Sequence, residues 1–309
     1  MLLMSGAGCR REQLATESVA STAWAQRLRV DFALVPADAG IVLSVDLDRL
    51  RASPMWNALA SGPGKDAAIL FEEFAKGTGI DLLRQLRHIL VALPGEGQGD
   101  RRFALIAEID SLDEARATAW LRQRKGGAIA AFVTGGSRIV LAQGAWVSAV
   151  STLARKGGAT PSAANVAELR RLCEHAADDH VFWVAAIVPV TLRRELITGG
   201  RFPDVASLTR LWGSIDLGAG LRAQAVAELS NEVDARTLAR RLNAYLNTAK
   251  HHPDMLAHGF SPYLEAVRLV ARGPRVRATL ELPAAQQEDV IDRLDALVRA
   301  STMGPSASP

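Results

Sequence analysis

The sequence predicts an α+β protein made of two tandem copies of one unit, with antiparallel sheets covered by helices on one face. Three observations predict it. Segments of strict apolar alternation recur along the chain, as in GIVLSVDL (40–47) and RVRATLEL (275–282). Between them lie stretches whose apolar residues fall at helical spacing. The chain also resembles itself at an offset of 120 residues. Ala107-Glu108-Ile109-Asp110 matches Ala227-Glu228-Leu229-Ser230, and Glu114-Ala115-Arg116 matches Asp234-Ala235-Arg236. A period this long marks a duplicated domain, not a solenoid.

Each copy opens on an apolar strand, GIVLSVDL (40–47) and VFWVAAIV (181–188). A helical region and a short helical turn come next, DLLRQLR (81–87) and DVASLTR (204–210). The second strands are HILVAL (88–93) and LWGSIDL (211–217), and the third are RFALIAEI (102–109) and LRAQAVAEL (221–229). The loop between them is PGEGQGDR in the first copy and GAG in the second, a difference that a surface hairpin absorbs cheaply. A helix comes after the third strand. Ser111 with Glu114 predicts a capping box, Ser230 predicts an N-cap, and Leu238, Leu242, Tyr245 and Leu246 predict an apolar stripe. A hairpin with turns at Gly135-Gly136 and Gly273-Pro274, then a last helix, close each copy. The unit is β-α-β-β-α-β-β-α, and its first six elements follow the split-βαβ order of ferredoxin-like folds. The domain reading is a signal remnant and tether over 1–36, the first repeat over 37–157, a helical connector over 158–178, the second repeat over 179–300, and a disordered tail over 301–309.

Composition narrows the function classes. Of 309 residues, 49% are apolar and 22% charged, as in a packed chain. The 36 cations are interspersed with 33 anions, whereas a nucleic-acid groove clusters its cations to displace counterions. No run of about 18 apolar residues occurs, so no helix is expected to span a membrane. Two cysteines, Cys9 and Cys173, exclude a disulfide framework.

The opening MLLMSGAGCRREQ joins an apolar start to small residues and then to a basic, polar stretch. Gly6-Ala7-Gly8-Cys9 resembles the lipobox of bacterial lipoproteins. Ala7 and Gly8 fit that pattern; Gly6 departs from it, where a large aliphatic residue is usual. The resemblance implies cleavage before Cys9, acylation (palmitate among the chains) of Cys9, and a polar tether behind it. Arg10 stands where an inner-membrane retention signal would place an aspartate, so the resemblance implies outer-membrane sorting, with the protein facing the periplasm. The succession of strands and helices after PADAGIVLSVDLDRLRASPMW (36–56) also resembles envelope proteins with tandem α+β repeats, and that likeness brings no catalytic residue with it.

Two clusters invite a metal. CEHAADDH brings Cys173, His175, Asp178, Asp179 and His180 together, and HHPDMLAH holds His251, His252 and His258 with Asp254 as a carboxylate partner. Neither has the ligand spacing of a known site. The first reads as a polar turn between helix and strand, with Cys173 on an apolar helical stripe, and the second as a solvated loop interrupted by Pro253. SGPGKDA (61–67) places Asp66 where a phosphate-binding loop needs a hydroxyl, and GEGQGD joins two strands instead of opening a helix. The expectation is therefore no catalytic residue, no cofactor and no metal, in a lipid-anchored periplasmic binding or structural protein. The alternative is a periplasmic enzyme or metal-binding protein with a site at the repeat junction, near 173–180 or 251–258.

Alternation also suggests a docking surface. Ile41, Leu43, Val45 and Leu47 share one face of their strand, and Val42, Ser44 and Asp46 the other. An open, mixed-charge face is expected opposite the helices, with Asp46, Glu108, Asp216, Glu228, Arg268 and Arg277 meeting an envelope protein partner.

Overall fold

The computed structural model describes residues 24–54, 56, 72, 74–96, 102–123, 129–156, 160–176, 180–198, 203–290 and 292–293. Its strands are β1 (Ala39–Asp46), β2 (Leu86–Pro94), β3 (Phe103–Ile109), β4 (Ile129–Thr134), β5 (Arg138–Gln143), β6 (Phe182–Ile187), β7 (Leu208–Asp216), β8 (Gly220–Leu229), β9 (Arg268–Arg272) and β10 (Arg275–Pro283). The helices include α1 (24–32), α2 (Leu47–Ala52), α3 (Leu82–Gln85), α4 (Glu114–Gln123), α5 (Trp146–Lys156), α6 (Ala167–Ala176), α7 (Val190–Thr198), α8 (Glu232–Lys250), α9 (Pro253–Ala257) and α10 (Ser261–Ala266); residues 74–78 and 284–290 are helical as well.

All ten strands form one antiparallel sheet in the order β4-β5-β3-β2-β1-β6-β7-β8-β10-β9. The second half of that order mirrors the first, so equivalent strands of the two copies lie at equivalent distances from the centre. At the centre β1 pairs with β6, from Ile41 opposite Ala186 to Val45 opposite Phe182. The expected pair of ferredoxin-like units is corrected here. A split βαβ holds its first two strands parallel with another strand between them; β1 and β2 are adjacent and antiparallel. The reason lies in the connection. It leaves β1 at Asp46 and re-enters beside it, with His88 opposite Asp46, so the helical excursion works as a long hairpin and not as a crossover.

Helices cover both faces, not one. Cross-strand register places Val42, Leu90, Ile106, Val140, Trp183, Trp212 and Val226 on a single face. Side chains of α1, α5 and α6 pack on it in one core that spans both copies. On the opposite face, α3 and α4 cover Ala107, Ile109 and Ile139 at one end, and α8 covers Ala227, Leu229 and Val276 at the other. Between those ends Ile41, Leu43, Val91, Val184 and Leu211 are half-buried. Both parities of the central strands are thus apolar, which removes the open polar face expected from β1.

Helix α1 lies inside the segment 1–36 expected to be a tether. Trp24, Leu28, Phe32 and Val35 recur at helical spacing and join the main core, with Phe32 1% exposed. The caps are displaced as well. Asp113, not Ser111, accepts the Arg116 N–H at 3.0 Å, while Ser111 takes the left-handed turn with φ 53°. Asn231, not Ser230, caps α8 by accepting from Asp234 N at 2.9 Å. The turns at Gly135, Gly136 and Gly273 have φ of 64°, 71° and 57°, which glycine adopts without a Cβ clash. The tail 301–309 lies outside the described residues.

Because Phe32 seals the core from the α1 side, Phe32→Ala should lower stability by about 3–5 kcal/mol. Urea unfolding followed by circular dichroism checks this; a chain whose α1 was a mere tether would show no change in midpoint.

Candidate functional site

The third strand of each copy carries a glutamate on the same face at matched positions. In the first copy the cross-strand row is His88, Glu108 and Arg138; in the second it is Arg210, Glu228 and Arg275. Each row is closed by a helix. Over the first, α1 sends Arg27 Nε to Glu108 Oε2 at 3.0 Å and Arg27 Nη1 to Asp46 Oδ2 at 3.3 Å. Asp31 of α1, 0% exposed, accepts from Arg138 Nε at 2.8 Å. Over the second, Glu168 of α6 meets Arg210 Nη2 at 2.6 Å. Arg210 and Arg275 both bind Glu228, the latter at 2.7 Å, and the Arg275 guanidinium lies 5.4 Å from the Trp212 ring centre. Burial alone would raise the Glu228 carboxyl, but the hydrogen bonds from Arg275 and Arg210 outweigh it and hold the group below its ordinary value.

The first row contains an arrangement with chemical form. Ser44 Oγ lies 2.6 Å from His88 Nε2, and His88 Nδ1 lies 3.3 Å from Asp31 Oδ2. This is the order of nucleophile, base and orienting carboxylate in a serine hydrolase. The matched positions of the second copy hold Ala185 and Arg210, so the arrangement belongs to one half only. It lacks the space that catalysis needs. Ser44 is 1% exposed and β1 is bonded on both sides, by β2 and β6, so a substrate carbonyl has no approach to Oγ. The three side chains act as a clasp that holds α1 against the sheet. Sequence reasoning misses them because they come from three separate elements and match no motif; a polar Ser44 amid the apolar run of β1 is the available signal.

The six residues expected on a docking face do share one face. Asp46, Glu108 and Glu228, however, are bound by arginines beneath or beside helices, and Asp216 is half-buried; Arg268 and Arg277 are exposed. In the first metal candidate, Cys173 is fully buried in the main core, and that burial, with a smaller effect from Glu174, pushes its thiol well above the ordinary value. The exposed His175 ring lies 6.3 Å from that of Trp212, and His180 is half-buried just ahead of β6. Asp178 and Asp179 lie outside the described residues. In the second, His251 Nδ1 sits 2.8 Å from Asn247 O, and His252 Nδ1 caps α9 by accepting from Asp254 N at 3.3 Å. Pro253 opens α9, and His258 ends it. Among the described residues no group of three or more His, Cys, Asp or Glu is placed to hold a metal ion. Cys9 lies outside the described residues.

Two clefts open at the ends of the sheet. One, of about 550 Å³, lies between α8 and β9 and is lined by Arg236, Arg240 and Val270 among others. The other, of about 1500 Å³, surrounds β4 between α4 and α5.

No protein-family model matches the chain, and no curated protein matches it. Among solved structures, crystal form III of TP0453 is similar at 9% identity over 85% of this chain and 97% of that chain, with a TM-score of 0.45. Crystal form I of TP0453 is similar at 9% identity over 86% and 97%, with a TM-score of 0.43.

The Glu228 row predicts a pH-dependent stability. A carboxyl held low in the folded state stabilises the fold above its unfolded pKa, near 4.3, and that contribution fades as pH falls through the folded value. Glu228→Gln should therefore lose about 2 kcal/mol at neutral pH. Its difference from wild type should shrink on acidification below about pH 4, as read from urea midpoints across that range.

Proposed function

We propose that this chain is a non-catalytic binding protein, held by lipid on Cys9 at the periplasmic face of a bacterial outer membrane. The observation that carries the non-catalytic reading is the enclosure of Ser44, His88 and Asp31. The best-formed nucleophile and base are consumed as a clasp under α1, while the wide cleft is a groove of mixed polar and apolar lining at the edge of the sheet. The alternative of a metal centre near 173–180 or 251–258 has no converging ligands among the described residues.

The anchor rests on Gly6-Ala7-Gly8-Cys9 and on the segment behind it. Residues 10–23 are rich in polar and small side chains and serve as the tether in this reading. Each buried methylene contributes only about 0.8 kcal/mol, so stable attachment requires more than one acyl chain. Among the described residues no helix is long and apolar enough to cross a membrane.

Cys9→Ser in the full-length gene should move the protein from the membrane to the soluble fraction, and the intact mass of wild type should include the acyl chains; a wild-type mass without them overturns the anchor. Incubation of the folded protein with a fluorophosphonate should leave Ser44 unlabelled. A Ser44 adduct found by peptide mass spectrometry would return the chain to the hydrolases.

A further inference from the structure

The two outer strands of the described sheet are mates in the repeat, and they are treated oppositely. β9 reads RLVAR, with Arg268 and Arg272 exposed and Arg275 and Arg277 exposed on the neighbouring strand. Charge on an edge is the usual protection against a foreign strand. β4 reads IAAFVT and carries no charge, and its Ile129 is 53% exposed. Alternate residues of β4 turn their N–H and C=O groups away from β5, toward the open side.

The cleft of about 1500 Å³ wraps this edge, whose outer side pairs with no strand among the described residues. Ile129, Ala131 and Val133 stand on the α4 side of β4, where Leu121 lines the wall; Ala130 and Phe132 stand on the α5 side, where Val147 and Ala154 do. The edge is thus flanked by two apolar slots, one above and one below the plane of the sheet. A strand added there would drop successive side chains into one slot and then the other. Arg122 and Arg155 are the charged residues that line the cleft; both are exposed, and neither forms an ion pair among the described residues.

We propose that β4 is the docking edge for an extended polypeptide segment, apolar at successive positions and acidic at its ends, which joins the sheet as an eleventh strand. The inference rests on the reading of the chain as a binding protein and names its partner class. The six residues of β4 set the length of the segment. Main-chain hydrogen bonds and the two slots supply affinity, and the two arginines select acidic flanks and orient the approach. A second copy of this chain fits less well, because pairing β4 with β4 sets Arg122 and Arg155 against their own counterparts.

The test uses the purified full chain and a synthetic peptide of roughly ten residues, alternating valine and isoleucine between glutamate pairs, with binding read by fluorescence anisotropy. Binding is expected, and it should weaken at least about tenfold when lysines replace the glutamates. Arg122→Glu with Arg155→Glu should reverse that preference; both side chains are exposed, so the fold tolerates the change. Two peptides N-methylated on opposite edges separate strand addition from general stickiness, since only the one whose bonding edge is blocked should lose binding. Equal binding of both methylated peptides, or no binding of any peptide, overturns the proposal. Self-association in sedimentation that Ile129→Lys abolishes would assign the edge to a second copy and also overturn it. Membrane release by Cys9→Ser reports on the anchored reading independently, so the two can fail separately.

Discussion

The molecule depends on a short seam. Five residues of β1, Ile41 to Val45, lie antiparallel to Phe182 through Ala186 of β6, and this pairing makes one sheet out of two copies. Without it each copy would expose an apolar central strand with unpaired backbone groups on its edge. With it, a single core runs from Val140 in the first copy to Val226 in the second, and α6, from the connector, is able to pack on both. The seam also explains why helices are needed on both faces. A strand with neighbours on either side and apolar residues at both parities has no face to give to water.

On that frame the two copies diverge where a helix meets the charged row. In the second copy Arg210 and Arg275 satisfy Glu228, with Glu168 of α6 at the rim. In the first, histidine and serine stand in for Arg210 and Ala185, and α1 brings Asp31 to meet His88 and Arg138. A buried ion pair adds little net stability over an apolar substitute, but leaving one partner alone is expensive. The row in the first copy therefore fixes where α1 lands more than it raises stability. It converts a loosely amphipathic segment into one with a single seat on the sheet.

Strands and turns are legible in the sequence because their signals are local. Alternation marks each β-segment, the glycines at 135–136 and 273 mark turns, and the match between Glu108 and Glu228 discloses the repeat. The joining of the copies is not legible, since nothing in GIVLSVDL states that its second edge belongs to VFWVAAIV. The side of β1 that faces the main core is hidden for a related reason. Ile41, Leu43 and Val45 are no more apolar than Val42, and a choice of face that turns on Ser44 and Asp46 requires knowing that His88 and Arg27 are there to receive them. Helix α1 escapes notice because Trp24, Leu28 and Phe32 are diluted by Arg27, Arg29 and Asp31, among them the residues that bind the sheet. Parity alone places the six charged residues on one face. The pairing of Asp46 and Glu108 with Arg27 is invisible, because Arg27 comes from outside the repeats. Candidate chemistry at 173–180 and 251–258 is visible as composition; that Cys173 turns inward and that His252 caps α9 is not.

Unlike edges on a single sheet raise a problem of growth. Setting β9 of one molecule against β4 of the next is a head-to-tail contact, which does not close on itself and repeats into a fibre. Here such a contact would bring Arg268 and Arg272 up to Arg122 and Arg155, cation against cation. Charge at both ends of the sheet thus disfavours that growth, even though one of those ends is left uncharged along the strand itself.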